Sequence, residues 1–120
     1  MSTAVPFDTS QWEQAIAERQ SAWEQVRWQT MQSVLKWLDQ WGTHYGLERA
    51  VLFGSVVMPG RFHEGADIDI AVDSLEPEYF FDLMAALSLE MGRDVDLVDL
   101  SECHFAGQIW QKGVVWTKDG

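Results

Sequence analysis

The chain has 120 residues, a mass of 13.7 kDa and 47% hydrophobic residues, which gives one core-forming domain and excludes a disordered or fibrous chain. Its mid-chain apolar run, Ala50-Val51-Leu52-Phe53, is far short of the ~20 residues of a membrane span. Eight bases stand against nineteen acids for a net charge of −11, and residues 64–102 alone hold twelve acids against the single Arg93.

That acidic third of the chain would repel a nucleic-acid backbone, so broad nucleic-acid binding is not expected. Acids this dense bind cations, face a basic partner or keep a protein soluble. Asp8, Glu13, Glu18 and Arg19 interrupt the start, so no signal peptide is expected. Cys103 is the single cysteine, which leaves no internal disulfide or multi-cysteine zinc site and fits a reducing, cytoplasmic setting.

In chain order, residues 1–10 read as a loose arm ending in the helix-capping Asp8-Thr9-Ser10, and residues 11–120 as one domain. Trp12, Ile16, Trp23, Val26, Met31, Val34, Leu35, Leu38 and Trp41 recur at helical spacing. They predict one long amphipathic helix, or two joined helices, over residues 11–42, stopped by Gly42. Trp12, Trp23 and Trp41 fit its core stripe, whereas Trp28 and Trp37 fall off it and suit an interface. A core over residues 47–117 follows. Residues 50–53 predict a buried strand, and residues 67–72 a second strand with Ile68, Ile70 and Val72 inward and Asp67 and Asp69 on the other face. Pro77 opens a helix whose face is Phe80, Leu83, Met84, Leu87 and Met91, closed by Gly92. Residues 94–100 predict a strand with Val95 and Leu97 on one side and Asp96 on the other. A short helix over 106–112 and an edge strand over 114–117 complete an α/β or α+β domain, a small mixed sheet flanked by helices.

The chemistry lies between Phe53 and Asp96. Gly54-Ser55 follows a strand, where glycine admits close backbone approach and successive N–H groups cradle an anion. Alone, the dipeptide is more often an ordinary turn than a phosphate loop. Asp67 and Asp69 share a strand face, and Asp96 brings a third carboxylate with the same outward parity. Such a group raises its own pKa values unless a cation neutralises it. Magnesium suits hard oxygen donors and shares its shell with phosphates, so a metal site at Asp67, Asp69 and Asp96 beside a Gly-Ser phosphate grip describes metal-assisted nucleotidyl transfer. Arg61 suits triphosphate oxygens, or stands as a surface charge beside Glu64. His44, His63 and His104 have no metal-ligand spacing, and Cys103 reads as a small packed residue.

Taken together, Leu52-Phe53-Gly54-Ser55, Arg61-Phe62, Ala66-Asp67-Ile68-Asp69-Ile70 and Arg93-Asp94-Val95-Asp96-Leu97-Val98-Asp99-Leu100 resemble the minimal nucleotidyltransferases of the DNA polymerase β-like superfamily. The resemblance runs from about Leu47 to Trp116. It implies the polymerase β-like fold, with a long helix added at the N-terminus. It also implies an antitoxin, of the kind often encoded beside a helical HEPN-domain RNase toxin, that moves AMP from ATP to a tyrosine of that toxin. Carried over by position, Gly54 and Ser55 hold the triphosphate, Asp67 and Asp69 bind metal, and Asp96 completes the site and helps deprotonate the acceptor. Two positions depart from the family pattern: Ala66 replaces a usual serine, and Met58 replaces a usual base. Two other functions share these features, a binding module that neutralises a basic partner by contact and a transferase acting on a small molecule.

Overall fold

The structure, a computed structural model, describes residues 8–120. The expected arm falls mostly on residues 1–7, outside the described residues. Helix α1 (Ser10–Trp41) is a single uninterrupted helix. Its start is held by the Asp8 carboxylate, which accepts the Ser10 N–H at 2.9 Å, and by Thr9 Oγ1, which donates to Glu13 at 3.0 Å.

The end of α1 differs from expectation. Gly42 keeps right-handed helical angles, and the chain tightens into a 3-10 turn, Gly42–Tyr45. Reversal comes at Gly46, whose φ of 79° is open to glycine and costly for other residues. Gly42 is needed for space: a Cβ there would lie 2.7 Å from Cη2 of Trp116.

Strands β1 (Arg49–Phe53), β2 (Ile68–Asp73), β3 (Val95–Asp99) and β4 (Val114–Thr117) form one sheet in the order β3-β2-β1-β4. β1 pairs antiparallel with β2 and β4, while β2 and β3 run parallel, joined across helix α2 (Pro77–Met91). A short helix α3 (Ala106–Lys112) precedes β4. The fold is the expected α+β arrangement, a mixed sheet flanked by helices with a long N-terminal helix.

Strand parity sorts the two faces. Ala50, Leu52, Ile68, Ile70, Val72, Val95 and Leu97 bury against Met31, Val34 and Leu38 of α1 and Leu83 and Leu87 of α2. On the other face Val51 and Ala71 pack with Leu100 and with Ile109 of α3. α3 is short, so it shields only part of that face; Asp96 remains exposed and Asp69 half-buried.

Three tryptophans sit otherwise than expected. Trp37 is buried in the main core, stacked on Tyr45 at 5.9 Å between ring centroids. Its position falls within a buried arc wider than the narrow stripe. Trp12 is 68% exposed and Trp41 lies largely open against the edge of His44. For Trp12 the helical face is right, but the body of the protein stops short of it: every residue from 10 to 22 is exposed. Trp28 is exposed, as its phase requires. Trp116 of β4 ties the sheet to α1 through Nε1–H, which donates to Asp39 Oδ1 at 2.7 Å.

Candidate active site

Asp69 lies opposite Phe53 of β1 and opposite Asp96 of β3 in the sheet register. Asp67 stands just before β2, one residue outside the strand expected for it, and is exposed. The Asp69 carboxyl is held above the ordinary carboxylate range, first by burial and then by the charges of Asp96 and Asp67. The three carboxylates therefore share one electrostatic neighbourhood. They are neighbours rather than a closed cage: among the described residues no three Asp, Glu, His or Cys side chains are grouped tightly enough to hold a metal ion as they stand. Their chemistry, hard oxygen donors with excess negative charge, fits magnesium or a similar hard cation.

The Gly-Ser turn is built onto this cluster. Gly54 has φ of 73°, and a Cβ on it would collide with Oδ2 of Asp69. Only glycine lets the turn Gly54–Val57 start directly over the carboxylate. Ser55 is half-buried, and its carbonyl accepts the Met58 N–H at 3.1 Å. Beside Gly54 a pocket of about 180 Å³ has Phe53, Val57, Phe105 and Ile109 in its wall, together with Gln108 and Lys112. Lys112 is thus a cation placed next to the Gly-Ser turn. The sequence offers no signal for it beyond a base near the end of α3. A larger pocket, about 470 Å³, lies at the far end of β2 and β3 around Leu75, Phe80 and Val98, away from the carboxylates.

Two arginines hold the loops of the site. Arg27, 5% exposed, donates Nη1–H to the Val56 carbonyl at 3.2 Å. It also forms a bidentate pair with Glu24. Glu24 in turn accepts the Gly60 N–H at 2.6 Å. Hydrogen bonds from Arg27 and Gly60 hold the Glu24 carboxyl below its ordinary range. One ion pair on α1 therefore pins both ends of the segment from the Gly-Ser turn to Gly60. Arg93 lies over the Phe62 ring at 4.5 Å and donates to the carbonyls of Ala66 at 2.8 Å and His63 at 3.2 Å, which fixes the approach to Asp67. Sequence reasoning missed both. An Arg three residues after a Glu on a helix looks like a solvated pair, and its long-range partner is a backbone carbonyl with no sequence signature.

Arg61 sits on the exposed loop after Gly60, its N–H donating to the Met58 carbonyl at 3.1 Å. Among the described residues its guanidinium makes no hydrogen bond or ion pair, and no pair with Glu64 forms. His44 and His104 lie apart from the carboxylates against Tyr45 and Phe105, and Cys103 is a half-buried free thiol.

A glycine turn set against Asp69, with Asp96 beside it across the sheet, characterises the scaffold, and comparison with known proteins specifies its family. The family model for polymerase β-type nucleotidyltransferases matches residues 40–119, more than half of the chain. The chain belongs to that family. Among solved structures it is similar to a minimal nucleotidyltransferase at 22% identity and a TM-score of 0.62, covering 72% of this chain and 92% of that one. It is also similar to an MntA–HpeT toxin–antitoxin mutant (26% identity, TM-score 0.54, 70% of this chain and 73% of that one). A toxin–antitoxin structure with AMP-PNP is 29% identical with a TM-score of 0.55, covering 73% of this chain and 74% of that one. No curated protein matches the sequence. No helix among the described residues is long and apolar enough to cross a membrane.

Proposed function

We propose that this protein is a magnesium-dependent adenylyltransferase that moves AMP from ATP to a tyrosine of a HEPN-domain toxin, acting as its antitoxin. The observation that carries the reading is the placement of Gly54 directly against Asp69, itself coupled to Asp67 and Asp96. Two relatives support it. One is a toxin–antitoxin structure with AMP-PNP; the other carries two aspartate-to-glutamate substitutions two positions apart, the spacing of Asp67 and Asp69.

In this reading the backbone of Gly54 and Ser55 grips the triphosphate, with Arg61 and Lys112 as the nearby cations. Asp67, Asp69 and Asp96 would hold magnesium, which when bound neutralises charge on the phosphates. The acceptor hydroxyl oxygen bonds to the α-phosphorus, the bond from that phosphorus to the bridging oxygen breaks, and pyrophosphate leaves. The hydroxyl proton passes to a carboxylate oxygen of Asp96. Because transfer depends on in-line orientation, the chain's own part is to fix the turn and the carboxylates relative to each other. The pair Arg27–Glu24 and the guanidinium of Arg93 do this from either side.

The test is co-expression with the protein encoded by the neighbouring gene, followed by mass spectrometry. An AMP-sized addition on a tyrosine of that protein, lost with Asp69→Asn, is the expected result. Robust transfer to a free small molecule with no protein acceptor would reject it. ATP binding by calorimetry should depend on magnesium, and equally tight binding in chelator would remove the shared site.

A further inference from the structure

The apolar face of α1 continues past the body of the protein. From Met31 to Leu38 that face is buried against the sheet and α2. Its continuation toward the N-terminus reads Val26, Trp23, Arg19, Ile16 and Trp12, alternating in steps of three and four, the spacing by which one helix presents a seam to another. Val26 and Trp23 are half-buried, whereas Ile16 is 54% exposed and Trp12 more so. This part of α1 also lies outside residues 40–119, the stretch that matches the family model.

The seam runs up to the loop that follows the Gly-Ser turn. A groove of about 310 Å³ runs between α1 and the loop after the Gly-Ser turn, lined by Ile16, Arg19, Trp23, Glu24, Phe62 and His63. A molecule lying along the seam therefore touches Glu24, which holds Gly60, and Phe62, the ring beneath Arg93.

Charge selects the occupant. Glu13 and Glu18 flank the seam on its two sides and Glu64 follows His63 at its lower end, three carboxylates around a groove whose neighbouring free bases among the described residues are Arg19 and Arg61. A second copy would bring two such chains face to face, with their flanking carboxylates repelling. A helix with an apolar stripe between lysines and arginines meets complementary charge. Arg19 lines the groove within the seam and is exposed, and an arginine there can cover apolar surface with its stem while its guanidinium meets solvent.

We infer that the exposed seam of α1, from Trp12 to Trp23, together with the groove against Phe62 and His63, is the docking surface for a basic amphipathic helix of the protein that receives the nucleotidyl group. This rests on the proposed transfer to a protein acceptor, and the experiment separates the two. Wild type and Ile16→Glu are each titrated with the purified product of the neighbouring gene, and magnesium–ATP binding is measured on the isolated proteins. Leu89→Glu, 86% exposed on α2 and off the seam, is the control. The expected result is at least about thirtyfold weaker complex formation for Ile16→Glu, the scale of an interface hot spot. Ile16→Leu restores it, Leu89→Glu binds normally, and nucleotide binding is unchanged in all three. Undiminished complex formation by Ile16→Glu overturns the inference. So does a wild-type protein that is dimeric alone and becomes monomeric with Ile16→Glu, since the seam then belongs to a second copy. A complex that depends on Ile16 yet shows no AMP addition leaves the docking surface standing and rejects the transfer. No wild-type complex at all overturns both.

Discussion

Asp69 is half-buried among like charges, and its behaviour with pH follows from that. Its carboxyl is raised by burial, then by Asp96 and Asp67, so the folded state prefers it protonated. The ionised form therefore weakens the fold above the raised pKa, and the penalty fades as pH falls toward the ordinary aspartate range. Asp69→Asn should melt higher than wild type at neutral pH, and the gap should close on acidification when melting curves are compared. The same variant should lose more than about a hundredfold in transfer, beyond the loss typical of groups that only support a metal ligand. Gly54→Ala tests the turn. It forces a left-handed conformation costing about 1–2 kcal/mol and drives a methyl into Asp69. Reduced stability by denaturant titration, with nucleotide binding lost, is expected; binding at wild-type strength would separate the turn from the site.

At the level of elements, the ion pair Arg27–Glu24 joins α1 to a loop about thirty residues away in the chain. Arg27→Met leaves the Val56 carbonyl without its donor and should cost about 1–3 kcal/mol in chemical denaturation. Arg27→Lys should recover part of the stability but not the fork that engages Glu24 and Val56 together. Because the Glu24 carboxyl is held below its ordinary range, its contribution is complete above the usual carboxylate range and is lost as pH falls through the lowered value. These elements also show where sequence is informative. Alternation in residues 67–72 and 94–100 marks Asp69 and Asp96 as outward, and the register sets them side by side; Asp67 stands just before β2, where strand period does not fix its face. Pro77 and Gly92 bracket α2 for equally local reasons. The tertiary half of α1 is different. Periodicity finds its apolar face but not where the body beneath it ends, so Trp12 and Trp41 are expected inside and Trp37 outside. Arg27, Arg93 and Lys112 are illegible for the same reason, since their partners are backbone carbonyls or a pocket assembled from distant segments.

For the molecule as a whole, charge sets two effects of opposite sign. Nearly all the imbalance lies in residues 64–102, which include the site carboxylates and the outer face of α2. Acids gathered in one region repel each other in the isolated protein. A basic partner relieves that repulsion and is drawn toward the region from a distance. Raising salt from about 0.1 M to about 1 M shortens the screening length from about 10 Å to about 3 Å. The isolated protein should then melt higher, because its self-repulsion is screened. The proposed complex with an acceptor protein should form more slowly, with the association rate falling about tenfold or more and dissociation changing far less. Melting curves and stopped-flow association over the same salt series measure both. A melting temperature that falls with salt would mean that the carboxylates are already paired within the chain. An association rate indifferent to salt would mean that the partner reaches this protein through the apolar seam alone, with the acidic face taking no part in the encounter.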